Sequence, residues 1–260
     1  VVPTEEKEVV PIQPQGETIQ TRFSTPGGYD RIESPANSFA NYLQRLPLKP
    51  AEAEVKYYNG RTKYNNDVYM AVVDIDVGTR DLQQCADAVM RLRAEHLWAQ
   101  RAYDDIHFNF TNGWRVDYGK WREGYRVKVD GNKTSWYKTG EADTSYRGFR
   151  RYMDLIFTYA GTWSLSRELT RVDRSGMQIG DIFIQGGSPG HAVIVVDMAV
   201  QPETGKKVFL LAQSYMPAQD IQILQNPMNP ALNPWYELDF GETLYTPEWT
   251  FQVGDLMRFP

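Results

Sequence analysis

Gly180-Asp181-Ile182-Phe183-Ile184-Gln185-Gly186-Gly187-Ser188-Pro189-Gly190-His191-Ala192-Val193-Ile194-Val195-Val196 is the stretch that decides the fold. Gly180-Asp181 turns the chain into a short apolar run over 181–185. Residues 186–190 are Gly, Ser and Pro, which set or tolerate turn backbone. His191 then opens a strongly apolar run that lasts to Asp197-Met198. Pro202-Glu203-Thr204-Gly205 turns the chain again, and 208–212 returns. Apolar runs joined by short turns predict neighbouring antiparallel strands. A His at the first residue of a strand sits at the sheet rim, where a groove can form. Its ring can take a proton from a thiol and return it to a leaving amine. The glycines beside it let a substrate backbone come close. The structural alternative is a turn-edge His bonded to its own loop.

Working outward, 145–159 predicts a helix ended by Gly161, and 165–171 a shorter one. The clearest helical pattern follows Gly78: Thr79 can cap it, Asp81 lies in its first turn, and Leu82, Cys85, Ala86, Val89, Leu92 and Leu97 recur at helical spacing. Residues 106–110 and 125–129 alternate at period two, and Asn112-Gly113 and Asp130-Gly131 supply turns, so 106–137 reads as β-hairpins. A short helix over 38–46 ends at Pro47; 53–58, 68–77 and 256–259 read as strands. Helices come first and an antiparallel sheet follows, which gives an α+β class: a sheet packed on helices, with additional hairpins. The expected organisation is a flexible tether over 1–20, rich in Pro, Glu and Gln, and a single domain over 21–260.

The 260 residues are 42% hydrophobic and 23% charged, enough apolar material for a sizeable core. A net charge of −5 gives no general attraction to nucleic acid or anionic membranes. Arg147, Arg150 and Arg151 read as a solvated helix face. The single cysteine, Cys85, excludes an intramolecular disulfide. No window approaches the ~20 apolar residues of a membrane span, and no signal peptide is present. His96, His107 and His191 show no metal-ligand spacing, and no glycine loop of phosphate-binding type occurs, so neither metal nor cofactor is expected.

The run from Gly180-Asp181 through Gly190-His191 into an apolar strand resembles the NlpC/P60 family of papain-like cell-wall cysteine peptidases. The resemblance covers about 145–220. It implies a papain-like fold in which His191 is the general base and a polar residue one strand later, Gln213 or Ser214, orients it. A one-residue slip of register across 202–205 exchanges which of the two faces the ring. Asp197 is excluded as that partner: six residues along the same strand at ~3.3 Å each puts it about 20 Å away. The family's Cys opens a helix that ends in Gly before the Gly-Asp strand. Here that position falls on Tyr146, with Ser145 adjacent and Gly148-Phe149 following. A Tyr hydroxyl, with a pKa of about 10, is a poor substitute for an ionisable thiol. Cys85 is the other candidate nucleophile, about two turns into its expected helix; it also fits the apolar stripe of that helix.

Asp87, Arg91 and Glu95 fall at spacing four and read as a surface ion-pair row. Trp114, Trp121, Trp163 and Trp235 are candidates to line a groove or to fill the core. The whole chain also resembles an uncharacterised lipoprotein family of gut bacteria, known as a domain of unknown function. That implies export to the periplasm or outer membrane and a lipid anchor upstream. Three functions remain open. One is a degenerate relative that binds a wall peptide, a glycopeptide or a protein near Tyr146, Ser145, Gly190 and Ser214. Another is an active peptidase or amidase using Cys85, His191 and Gln213. The third is a purely structural lipoprotein domain.

Overall fold

The computed structural model describes residues 10–260. In chain order the elements begin with α1 (Ile19–Arg22), β1 (Asp30–Arg31), α2 (Phe39–Gln44), β2 (Tyr69–Val72) and α3 (Cys85–Ala99). Then come β3 (His107–Asn109), β4 (Arg115–Asp117), α4 (Tyr118–Arg122), β5 (Tyr125–Asp130), β6 (Lys133–Lys138), α5 (Tyr146–Tyr159) and α6 (Thr162–Glu168). The chain closes with β7 (Thr170–Arg171), β8 (Ile182–Gln185), β9 (His191–Val200), β10 (Lys207–Gln213), β11 (Gln222–Leu224), β12 (Tyr236–Glu237), β13 (Thr243–Tyr245), β14 (Thr250–Gln252) and β15 (Leu256–Arg258).

The class is mixed, with a large antiparallel sheet and a few helices. The sheet runs β2-β11-β10-β9-β8-β15-β7, with β1 beside β9 and β12 beside β10. Its centre is the segment read first from the sequence. β8 pairs β9 with Gln185 opposite His191, and β9 pairs β10 with Ala212 opposite Ile194. The apolar run of β9 is unbroken because both faces are covered. Ala192, Ile194 and Val196 belong to a core shared with Ala86, Val89 and Leu92 of α3. Val193, Val195 and Met198 face a second core with Phe183, Phe209 and Phe251. Each fully buried Val or Ile contributes about 1.5–3 kcal/mol over an exposed one, so this strand anchors the sheet.

The two residues that begin the motif have separate duties. Gly180 has φ +99°, and a Cβ there would lie 3.0 Å from the Phe39 ring. Asp181 receives both Nε (2.6 Å) and Nη2 (2.8 Å) of Arg258, tying β8 to β15.

Several expectations are corrected. Residues 1–9 of the expected tether lie outside the described residues, but Val10 to Gln20 is packed. Val10 and Ile19 are buried, Ile12 bridges Phe23, and Thr18 bridges Pro47. The scattered apolar residues of a polar segment sufficed to dock it. Residues 53–58 form only isolated bridges, Lys56 to Thr62 and Tyr57 to Gln219. Helices do not simply precede the sheet, since β1 and β2 join it from the first third of the chain. The row Asp87-Arg91-Glu95 is not a surface ladder. Arg91 is buried, bonded to Glu95 Oε1 (2.6 Å) and to Gln83 Oε1 (2.8 Å), while Asp87 is turned to the backbone of Gln84. The hairpins expected between 106 and 137 do form, as β3-β4 and β5-β6, off the main sheet. Among the described residues, no helix is long and apolar enough to cross a membrane.

Candidate functional site

Cys85 opens α3 rather than lying two turns inside it. Asp81 Oδ1 accepts from Gln84 Nε2 (3.1 Å) and from the N–H of Ala218 (2.7 Å), which holds the preceding segment in turns. Asp87 then reaches back to accept the N–H of Gln84 (3.0 Å), the return half of a capping box. The periodicity starting at Thr79 overshot the true start because Leu82 fits the same apolar stripe. The difference is chemical: the partial positive charge of a helix N-terminus acts on a thiol only within the first turn.

α3 packs across β9. The N–H groups of Ala86, Ala192 and Cys85 itself favour the ionised form of the thiol. Burial nevertheless pushes the thiol up to about 11, with the nearby Asp87 adding to the rise. Cys85 is still partly accessible. It lines a cavity of about 650 Å3 with Asp81, Gln84, Asp87, Gly190, His191 and Trp249.

His191 lines the same cavity. Its Nε2 lies 2.8 Å from Gln213 Oε1. The rings of Tyr215 (4.8 Å between centroids), Trp249 (5.3 Å) and Phe251 (6.0 Å) surround it. Burial pushes the imidazole down to about 4; the Gln213 contact opposes this and the charge of Lys63 adds to it. At neutral pH the resting pair is therefore a thiol and a neutral imidazole.

The choice between Gln213 and Ser214 is made by a β-bulge. From Lys207 to Leu210, β10 pairs with Val200 back to Asp197; beyond it Leu211 faces Val195 and Ala212 faces Ile194, leaving Val196 over. That places Gln213 on the face of Val193 and His191. An unbroken register would have put Ser214 there. Ser214 instead points the other way, 2.9 Å from the carbonyl of Gln219 and 3.2 Å from that of Gln83. Asp197 is occupied by Arg31 Nε (2.9 Å) and Gln44 Nε2 (2.8 Å).

Gly190 lies in the cavity wall, and a Cβ there would stand 2.5 Å from Thr162 Oγ1 and 2.6 Å from the carbonyl of Gly187. Only glycine lets α6 hold this loop, through the Thr162 hydroxyl donating to the carbonyl of Gly187 (3.2 Å).

Tyr146 and Ser145 stand apart from this cavity. The Tyr146 hydroxyl donates to Glu95 Oε1 (2.7 Å), and its ring meets Trp98 edge-on. Ser145 caps α5 by accepting the N–H of Gly148 (3.0 Å), and its hydroxyl donates to Asp143 Oδ1 (2.6 Å). The sequence around Tyr146 is thus a helix start. A Cβ at Gly148 would stand 2.6 Å from the Asp143 carboxyl, so a side chain there would displace the group that accepts from Ser145.

Of the tryptophans named from the sequence, none lines the cavity. Trp121 donates to the carbonyl of Gly148 (3.0 Å) and Trp235 to that of Ser24 (2.8 Å); Trp114 stacks near Trp136, and Trp163 lies under Arg167.

Residues that the sequence did not assign to the site complete it. Trp249 and Tyr215 flank the His191 ring. Glu248 accepts from Gln213 Nε2 (2.6 Å) and pairs with Lys63 (2.6 Å). Asp87 sits in the cavity wall with Oδ1 unpartnered, and burial raises its carboxyl well above the usual range. Only position gives these residues a role: Trp249 and Glu248 come from a Pro- and Trp-rich stretch with no periodicity. Among the described residues no cluster of His, Cys, Asp and Glu stands ready to hold a metal ion.

No curated protein and no solved structure matches the chain. One family does match, over residues 19–258, and the chain belongs to it: the family described as Domain of unknown function (4846).

Proposed function

We propose that this protein is a papain-like thiol hydrolase of amide bonds, with Cys85 as nucleophile, His191 as general base and Gln213 as the group that orients the ring. The observation that carries this reading is that one cavity joins the first residue of a helix, a cysteine, to a buried histidine whose far nitrogen is held by a glutamine amide. Nucleophile, base and orienting group in that order make up the constellation of cysteine hydrolases.

In the reaction, His191 Nδ1 takes the proton of the thiol as Sγ bonds to the substrate carbonyl carbon. Free N–H groups in the first turn of α3 suit the oxyanion that forms. The tetrahedral centre collapses, the C–N bond breaks, and the imidazolium gives its proton to the leaving amine. Water then adds to the thioester, with His191 again as base, and releases the acid and the thiol.

For substrate, the resemblance of Gly180-Asp181 to Gly190-His191 to the NlpC/P60 motif points to the stem peptides of peptidoglycan. An exported protein of the cell envelope, as the resemblance of the whole chain to a lipoprotein family implies, would meet that substrate. Incubation with purified stem peptides should release new amino groups, and both C85A and H191A should abolish that release. Release that survives C85A overturns the assignment.

A second reading has its own observation. A thiol held near 11 beside an imidazole held near 4 rests without charge transfer, which suits a site that binds wall peptides without cutting them. Binding of the same peptides with no amine release would favour it.

A further inference from the structure

We propose that Glu248, anchored by Lys63, is a positioning residue: it fixes the amide of Gln213 and so decides which nitrogen of His191 is the base. The inference rests on the thiol-hydrolase reading and adds to it a second layer of side chains from distant parts of the chain.

A glutamine amide carries an acceptor at one end and donors at the other, and nothing intrinsic selects its orientation. At Gln213 the selection comes from outside. Glu248 Oε2 lies 2.6 Å from Gln213 Nε2 and 2.6 Å from Lys63 Nζ. An ionised carboxylate only accepts, so the amide must present its NH2 group to Glu248. A flipped amide would set its oxygen against the carboxylate and lose the bond to Glu248. With NH2 committed, Oε1 is the end that faces His191, at 2.8 Å. An oxygen without a proton requires a donor, so Nε2 of His191 carries the hydrogen. Nδ1 is left with its lone pair and is the nitrogen that can act as a base.

Lys63 keeps this arrangement in place. Its side chain is 3% exposed, so its ammonium has few partners besides Glu248. Gln222 Oε1 takes a second contact at 3.3 Å, and Gln222 is in turn fixed by Gln219 (3.0 Å). The relay passes from a loop at Lys63 through the turn between β13 and β14 to the end of β10. A pair serving only to tie loops together would not need the shared oxygen to meet Gln213.

The test is the tautomer of His191, read from the ring nitrogen chemical shifts of the 15N-labelled full chain, together with the rate of Cys85 acylation by p-nitrophenyl acetate. Wild type is expected to show Nε2–H. Glu248→Gln, which can offer an NH2 group and so accept the flipped amide, is expected to shift the population toward Nδ1–H and to slow acylation at least tenfold. Glu248→Asp keeps the charge and is expected to restore Nε2–H. Lys63→Met approaches the same relay from the other end and serves if Glu248→Gln does not fold. Nε2–H retained in both Glu248→Gln and Lys63→Met would overturn the proposal. The tautomer is read without turnover, so Nε2–H in a wild type that cleaves nothing, shifting toward Nδ1–H in Glu248→Gln, would support the relay while refuting the hydrolase reading.

Discussion

Cys85, the first residue of α3, and His191, the first residue of β9, line one cavity. A helix start and a strand start thereby meet at the same opening. The helix supplies unpaired N–H groups, the strand supplies the imidazole, and the cavity of about 650 Å3 opens between them. Neither end works alone. A cysteine in mid-helix would sit outside the reach of the helix terminus, and a histidine deeper in β9 would be sealed in the core.

The state of His191 should be visible in the stability of the fold. Its ring is pushed down to about 4 by burial, against about 6.5 for an unfolded chain. The unfolded chain therefore binds the proton more readily. The stability associated with this ring is complete above pH 6.5 and is lost as pH falls toward 4, by about 3 kcal/mol. H191Q should lack that dependence: between pH 7 and pH 4, urea unfolding should cost the wild type about 3 kcal/mol more than the variant. Parallel losses in the two proteins would show that the buried ring is not neutral.

Gln213 and Ser214 should separate cleanly. Ser214 bonds the backbone near Gln219 and Gln83 and stands on the other face of β10. S214A should lower stability by about 1–2 kcal/mol, since a buried carbonyl loses its donor, and leave the acylation rate of Cys85 near wild type. Q213A, which leaves buried His191 and Glu248 without their shared partner, should lower both stability and the acylation rate, the latter at least tenfold. A kinetic defect in S214A as large as that in Q213A would contradict the register set by the bulge at Leu210/Leu211.

Gly190 should tolerate no side chain. The methyl group of G190A would meet Thr162 Oγ1 at 2.5 Å, the carbonyl of Gly187 at 2.6 Å and that of Gln185 at 2.8 Å. Two of these are backbone and cannot rotate away. The expected cost is about 1–3 kcal/mol, as for other overpacked positions, with slower acylation because His191 is the next residue. Thermal unfolding of G190A at wild-type temperature would show that the loop is slack.

How much of this was legible in the sequence differs by element. β8, β9 and β10 were readable because apolar runs and Gly-Pro turns carry strand length and connection directly. The hairpins β3-β4 and β5-β6 were readable from Asn112-Gly113 and Asp130-Gly131 for the same reason. The start of α3 was not, because Leu82 continues the apolar stripe while Asp81 and Ala218 hold it off the helix through a contact across the fold. The bulge that selects Gln213 leaves no mark in the sequence, since Val196 is one apolar residue among many. Glu248 and Lys63 are ordinary surface residues by type; only the fold reveals that Lys63 is buried and Glu248 shared. Tyr146 shows the converse. A local match to a catalytic helix start became a capped helix whose tyrosine bonds Glu95.

The most direct measurement is the acylation of the native protein by p-nitrophenyl acetate, followed by peptide mapping. The account predicts a burst of p-nitrophenol equal to the protein concentration, an acetyl group on the peptide containing Cys85, no burst in C85A and a burst slowed at least tenfold in H191A. An acetyl group carried by other residues, or acetylation of Cys85 at the same rate in H191A as in wild type, would contradict it.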